Sequence, residues 1–115
     1  MLSLTLACIA LVSQTAFSGE WECTSLPFGD SAISPSMVCD SHGYPCIAYI
    51  HRPANGINHL HCARYNGVEW VDDLLDFTTL YPDVAVDSNN LIHISAYDCP
   101  SSSIMHHYQN PDLSW

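Results

Sequence analysis

The chain has 115 residues, is 48% apolar and carries a formal net charge of −10. That is length for one domain at most, with enough apolar content to set disorder aside. Arg52 and Arg64 are the only fixed cations, so no basic face for nucleic acid can be assembled; an acidic surface favours solubility, cation binding or a saline habitat instead.

Residues 1–18 read as an export signal. Residues 2–12 are almost continuously apolar, and Ala16-Phe17-Ser18 supplies small residues at the usual cleavage spacing. No Lys or Arg precedes the run, a departure from the usual pattern. A first strand or a membrane anchor is the other reading, but Ser13, Gln14 and Thr15 interrupt the run before it reaches spanning length. No later segment is apolar enough to span a membrane. The mature chain is expected to be secreted, periplasmic or at the cell surface.

The remainder divides into residues 19–34, 35–75 and 76–115, because one pattern occurs twice. Pro35/Pro82, Asp40/Asp87, Ser41/Ser88 and Ile47/Ile94 keep a common offset of 47. Each copy is a short apolar run (37–39, 84–86), a polar turn (40–45, 87–91) and a returning apolar run (47–50, 92–97). Such runs, rich in β-branched and aromatic residues and joined by Asp, Ser, Asn or Gly, predict β-hairpins. Gly43 and Asn90 suit the positive φ of a tight turn, and Asp40 and Asp87 are expected to accept hydrogen bonds from turn N–H groups. Apolar and polar residues do not alternate cleanly, which predicts sheets covered on both faces.

A third strand follows each hairpin (59–65, 104–109), and Trp-led strands occupy 21–26 and 70–75. Trp21, Trp70 and Trp115 are 49 and 45 positions apart. The unit is four strands in roughly 45–50 residues, the period and strand count of a β-propeller blade. The expected fold is all-β: an outer strand and loop in 19–34, a four-stranded antiparallel blade in 35–75, and a second blade in 76–115 lacking its outer strand.

The run Pro82-x-Val84-Ala85-Val86-Asp87-Ser88-Asn89, then His93-Ile94-Ser95-Ala96-Tyr97-Asp98, resembles the repeats of uncharacterised exported bacterial propellers, as does the strand end Tyr65-Asn66-Gly67-x-x-Trp70. These are loosely grouped with sialidase-like propellers. The resemblance covers residues 21–115 and implies blade architecture. The sialidase Asp-box places an Asp two residues before the turn Gly; Asn66-Gly67-Val68-Glu69-Trp70 lacks it, so sialidase catalysis is not carried over. Two blades cannot close a ring, and repeat stacks need about three units to bury their faces. The expectation is a fragment of a larger propeller; the alternative is a homo-oligomer in which residues 21–26 of one copy complete the last blade of another.

Two sets of longer loops are expected at one end of the sheets, residues 27–34 and 76–81, and 51–58 and 98–103. Ligand sites favour such loops, which makes His51, Arg52, Asn55, Asn58, Asp76, Tyr81 and Asp98 the candidate ligand-binding residues. Cys39 and Cys46 flank a hairpin turn and are the disulfide candidate of an exported chain, or simply two small buried residues. His59 and His61 point to one face of a strand and can ligate Zn²⁺ or Cu²⁺ if a third ligand arrives. Spacing fixes none, so no metal site and no cofactor is assigned. Asp30, Asp72, Asp73 and Asp76 read as solvated charge rather than a glycosidase pair or calcium site. Tyr44, Tyr49, Tyr81 and Tyr97 can stack on sugars if exposed, whereas the three Trp are expected between blades. The reading is an exported, non-catalytic binding or adhesion module for a carbohydrate or cell-surface ligand, with no catalytic residues assigned. The alternatives are part of a sialidase-like glycoside-acting enzyme and a self-assembling lectin-like subunit. A sialidase needs an Arg cluster for the sugar carboxylate, and only two Arg are present.

Overall fold

The computed structural model describes residues 22–28 and 31–115. The expected signal, residues 1–18, lies outside them, as do Trp21 and Asp30. The described residues are all-β, with no helix that could cross a membrane. β1 (Ala32–Cys39), β2 (Pro45–His51), β3 (His59–Tyr65) and β4 (Trp70–Phe77) form an antiparallel sheet in sequence order. β5 (Thr79–Val86), β6 (Ile92–Asp98) and β7 (Ser103–Tyr108) form a second.

The hairpin turns follow from local side-chain chemistry. Asp40 Oδ1 accepts the N–H of His42 at 2.8 Å and of Tyr44 at 2.9 Å. Asp87 Oδ1 accepts the N–H of Asn89 at 2.8 Å and of Leu91 at 3.0 Å. Short Asp side chains compete well for turn N–H groups, so each turn is fixed by its first residue. Gly43 (φ 80°) and Asn90 (φ 61°) take the positive φ, as their residue types predict.

The strands before these turns are longer than expected. Residues 27–34 and 76–81 read as loops, yet β1 begins at Ala32, Asp76 and Phe77 belong to β4, and Tyr81 belongs to β5. Bulges explain this. The register shifts between Ile33 and Ser36 in β1 and between Leu80 and Asp83 in β5. Ser34 (φ 51°) and Tyr81 (φ 52°) turn the chain there, and the bulge absorbs Pro35 or Pro82, which has no N–H for a ladder. Ser31 (φ 59°) and Thr78 (φ 64°) repeat the 47-residue offset just upstream. Thr78 alone separates β4 from β5. Its N–H donates to the Asn58 carbonyl at 2.7 Å, and its carbonyl accepts from the Cys99 N–H at 3.2 Å.

The core lies between the sheets. Cys46, Ala48 and Ile50 of β2, with Leu60 and Cys62 of β3, meet Val84 of β5 and Ile92, Ile94 and Ala96 of β6. Ile50, Leu60 and Ile94 are fully buried, each contributing about 1.5–3 kcal/mol of apolar transfer. Polar bonds stitch sheet to sheet: beside the bulges the Ser36 hydroxyl donates to Asp83 at 2.8 Å, and at the turns Asn90 Nδ2 donates to the Ser41 hydroxyl at 2.7 Å. Trp115 packs against this core and donates Nε1–H to Asp73 at 3.1 Å.

Residues 22–26, the described part of the expected outer strand, form no strand. This segment meets a face of the first sheet rather than an edge, so its backbone finds no ladder. Leu26 and Phe28 share a shallow hollow with Ile47 and Tyr49, and Phe28 sits edge-on to Trp70 at 6.4 Å. The first sheet is therefore covered on both faces at β2, as expected. The second is not: Tyr81 is 71% and Ile104 72% exposed.

Candidate functional site

The hairpin between β2 and β3 brings histidines together. Its loop is tied internally: Arg52 Nε–H donates to Asn58 Oδ1 at 3.1 Å, the Ile57 N–H to Asn55 Oδ1 at 3.0 Å, and the Gly56 N–H (φ 79°) to the Pro53 carbonyl at 3.0 Å. This sets the register so that His51 lies opposite His59, and Tyr49 opposite His61. Side chains two apart on a strand, and those directly opposite, share a face. One ring nitrogen from each of His51, His59 and His61 comes within 4.8 Å of the others. All three residues are half-buried.

His61 is held from behind. Its Nδ1–H donates to Asp72 Oδ2 at 2.9 Å, a carboxylate that can only accept, so the lone pair is left on Nε2. The Tyr49 hydroxyl donates to the other Asp72 oxygen at 3.0 Å, and the Tyr49 ring stacks on His61 at 5.2 Å. His61 Nε2 is buried and has no hydrogen-bond partner. Phe77 meets His59 edge-on at 4.8 Å.

The other expected ligand residues do not converge on one cleft. Arg52, Asn55 and Asn58 are used in holding the loop. Asp76 accepts the Phe77 N–H at 2.8 Å and stands 3.3 Å from His107 Nε2, an ion-pair distance without hydrogen-bond alignment. Tyr81 lies on the open face of the second sheet with Ser95, Tyr97 and Ile104. Asp98 accepts from the Ser101 hydroxyl, the Ser101 N–H at 3.0 Å and the Thr78 hydroxyl at 3.4 Å. These bonds, the Ser101 hydroxyl foremost, hold its pKa below the usual carboxylate value.

A cleft of about 430 Å³ opens instead at the turn end, between the sheets. Asp40, His42, Tyr44, Arg64, Asn90 and Leu113 are among the residues around it. His42 stacks on Tyr44 at 5.8 Å, and Tyr44 meets Tyr65 edge-on at 5.7 Å. Arg64 is steadied by Asp73, its Nη2 at 3.2 Å from the carboxylate. Sequence order hides this cleft, because it is formed by the placement of one sheet on the other.

The cysteine expectation is corrected by the register. Cys39 lies opposite Pro45, and Cys46 opposite Val38, so the two candidates do not face each other. Cys23, Cys39, Cys46, Cys62 and Cys99 are free thiols. Cys46 turns into the core instead, with its sulfur 3.3 Å from that of Cys62. The hydrogen bond to Cys46, then burial, pushes the Cys62 pKa far up and keeps that thiol protonated.

The remaining histidines serve the second sheet. His93 stacks on His106 with Nδ1 to Nε2 at 3.0 Å, and its Nε2 lies 3.2 Å from Asp87 Oδ2. Sequence reasoning found His59 and His61 but placed His51 in a loop and Asp72 among solvated charges. The signal was the H-x₇-H-x-H spacing of His51, His59 and His61, which a paired hairpin converts into one cluster. Comparison of the chain with protein-family models, curated proteins and solved structures finds no match.

Proposed function

We propose that the chain is an exported ligand-binding module built of propeller-type blades, and that its ligand is a carbohydrate taken up in the cleft at the turn end. The blade reading is supported by the recurrence of turn bonds, bulges and positive-φ residues at one offset. The observation that carries the ligand reading is the composition of the cleft: the rings of His42, Tyr44 and Tyr65 beside the polar groups of Asp40, Arg64 and Asn90. Sugar rings present C–H faces to aromatic planes and hydroxyls to planar polar groups, so a cleft of this make-up suits them.

Glycan-array screening of the purified full chain tests it. Binding to a defined glycan, weakened at least tenfold by Tyr44→Ala with the circular dichroism spectrum unchanged, is the expected result. No binding to any glycan, or binding indifferent to Tyr44→Ala and His42→Ala, overturns it. The exposed Tyr81 and Ile104 favour a second reading, self-assembly through the open face of the second sheet; light scattering that gives the monomer mass removes it.

A further inference from the structure

We infer that His51, His59 and His61 form a binding site for a divalent transition-metal ion, zinc foremost, with Asp72 and Tyr49 as its outer supports. Three imidazole nitrogens are a complete protein ligand set for zinc with one coordination position left open. The donor type also suits Cu²⁺ and Ni²⁺ and disfavours Mg²⁺ and Ca²⁺, which take oxygen ligands.

Two independent features point the same way. The first is the orientation of His61. A ligating histidine characteristically donates its other ring N–H to a carboxylate, which fixes the tautomer and raises the basicity of the ligating nitrogen. Asp72 does this at 2.9 Å, and Tyr49 fixes Asp72 in turn. The nitrogen left over, Nε2, is buried without a partner, which buried polar atoms seldom are. A metal ion is a partner that would satisfy it.

The second feature is that the cluster is no part of the repeated scaffold. The positions 47 residues after His51 and Tyr49 are Asp98 and Ala96, and the residues facing them across the next ladder are Ser103 and Met105. The second sheet makes the same hairpin with no histidine at its end. The fold therefore does not require the cluster.

Zinc–nitrogen bonds of about 2.0–2.1 Å in a tetrahedral site set ligand nitrogens about 3.3 Å apart. The 4.8 Å spread thus closes by about 1.5 Å, a distance that small χ rotations of side chains at a strand end can cover. The inference is independent of sugar binding, because the cleft lies at the other end of the sheets.

The test is titration of the reduced, full-length chain with Zn²⁺ by calorimetry, and with Co²⁺ followed by visible absorption. One Zn²⁺ per chain is expected, with a Co²⁺ spectrum of a tetrahedral nitrogen–oxygen site. His59→Ala should weaken binding at least 100-fold. Asp72→Asn should weaken it about 10–100-fold without changing the circular dichroism spectrum. A thiolate charge-transfer band would place the metal on cysteine and overturn the inference, as would an affinity unchanged by His59→Ala but lost in His93→Ala. Nitrogen-15 spectra of the unmutated chain decide the matter even if a variant does not fold. Zn²⁺ must shift His61 Nε2 and leave His93 and His106 in place; the reverse pattern overturns the site.

Discussion

The two sheets share a backbone and differ in what they do with it. Turn for turn and bulge for bulge they match: Gly43 answers Asn90, Ser34 answers Tyr81, Ser31 answers Thr78. Yet the first sheet carries the joined network of Tyr49, His61 and Asp72, while the second carries an open apolar face around Tyr81 and Ile104. Side chains that hold the backbone recur; those that gather at the β2–β3 hairpin do not. A repeated scaffold constrains glycine-like positions, prolines and capping carboxylates, and leaves the strand faces free to diverge.

The largest effect tests whether the sheets are one cooperative unit. Leu60 and Ile94 come from different sheets and meet in one core. Leu60→Ala and Ile94→Ala should each cost about 2–5 kcal/mol and shift the whole urea transition. A biphasic transition in either variant would separate the sheets and break the comparison.

Glycines give a sharper contrast. A Cβ on Gly67 (φ 94°) would fall 2.7 Å from the Tyr44 hydroxyl, whereas one on Gly43 (φ 80°) meets nothing within 4 Å. Gly67→Ala should cost about 1–3 kcal/mol and move Tyr44 out of the cleft, reducing any glycan affinity. Gly43→Asn copies the residue that the second sheet uses at its matching turn, and should change stability by less than about 0.5 kcal/mol. Denaturant midpoints check both: a cost above about 1 kcal/mol for Gly43→Asn would mean that the two turns are not equivalent, and a negligible cost for Gly67→Ala would remove the strain at Gly67.

Acid provides the gentlest probe. The pKa of Asp87 is lowered chiefly by the Leu91 N–H, that of Asp98 by the Ser101 hydroxyl and that of Asp112 by the Ser114 hydroxyl. Folded values below unfolded ones mean stability that is fully present above the unfolded value, 3.8, and lost as pH falls through the lower folded values. Melting temperatures measured from pH 5 to pH 2 should fall over that window. Carboxyl carbon shifts of these three residues should titrate below pH 3.8; midpoints at or above it would contradict the bonds described.

The turns were legible in the sequence because their physics is local: an Asp accepts from N–H groups two and four residues on, and Gly or Asn supplies the positive φ. The all-β character followed from the same segments. The extents of β1 and β5 were not legible, because the residues just before Pro35 and Pro82 read as loop until a bulge accommodates the prolines within the strands. The Cys39–Cys46 pairing failed for want of one residue of register, since a one-residue slip turns a strand's side chains to the other face. The grouping of His51 with His59 and His61, and the support from Asp72, were missed because they depend on ladders to β3 that local spacing does not fix. The turn-end cleft was hidden further still, arising only from the packing of sheet on sheet.

Thr78 gives the molecule a mechanical property. A single residue carries the chain from one sheet to the next, and it is hydrogen-bonded to both sides, to Asn58 and to Cys99. There is no slack in such a joint. Tension along the chain passes from β4 to β5 with no spring between them, so the two sheets bear load together. Their relative tilt is set by the backbone conformation of Thr78, held by its bonds to Asn58 and Cys99, as well as by the core.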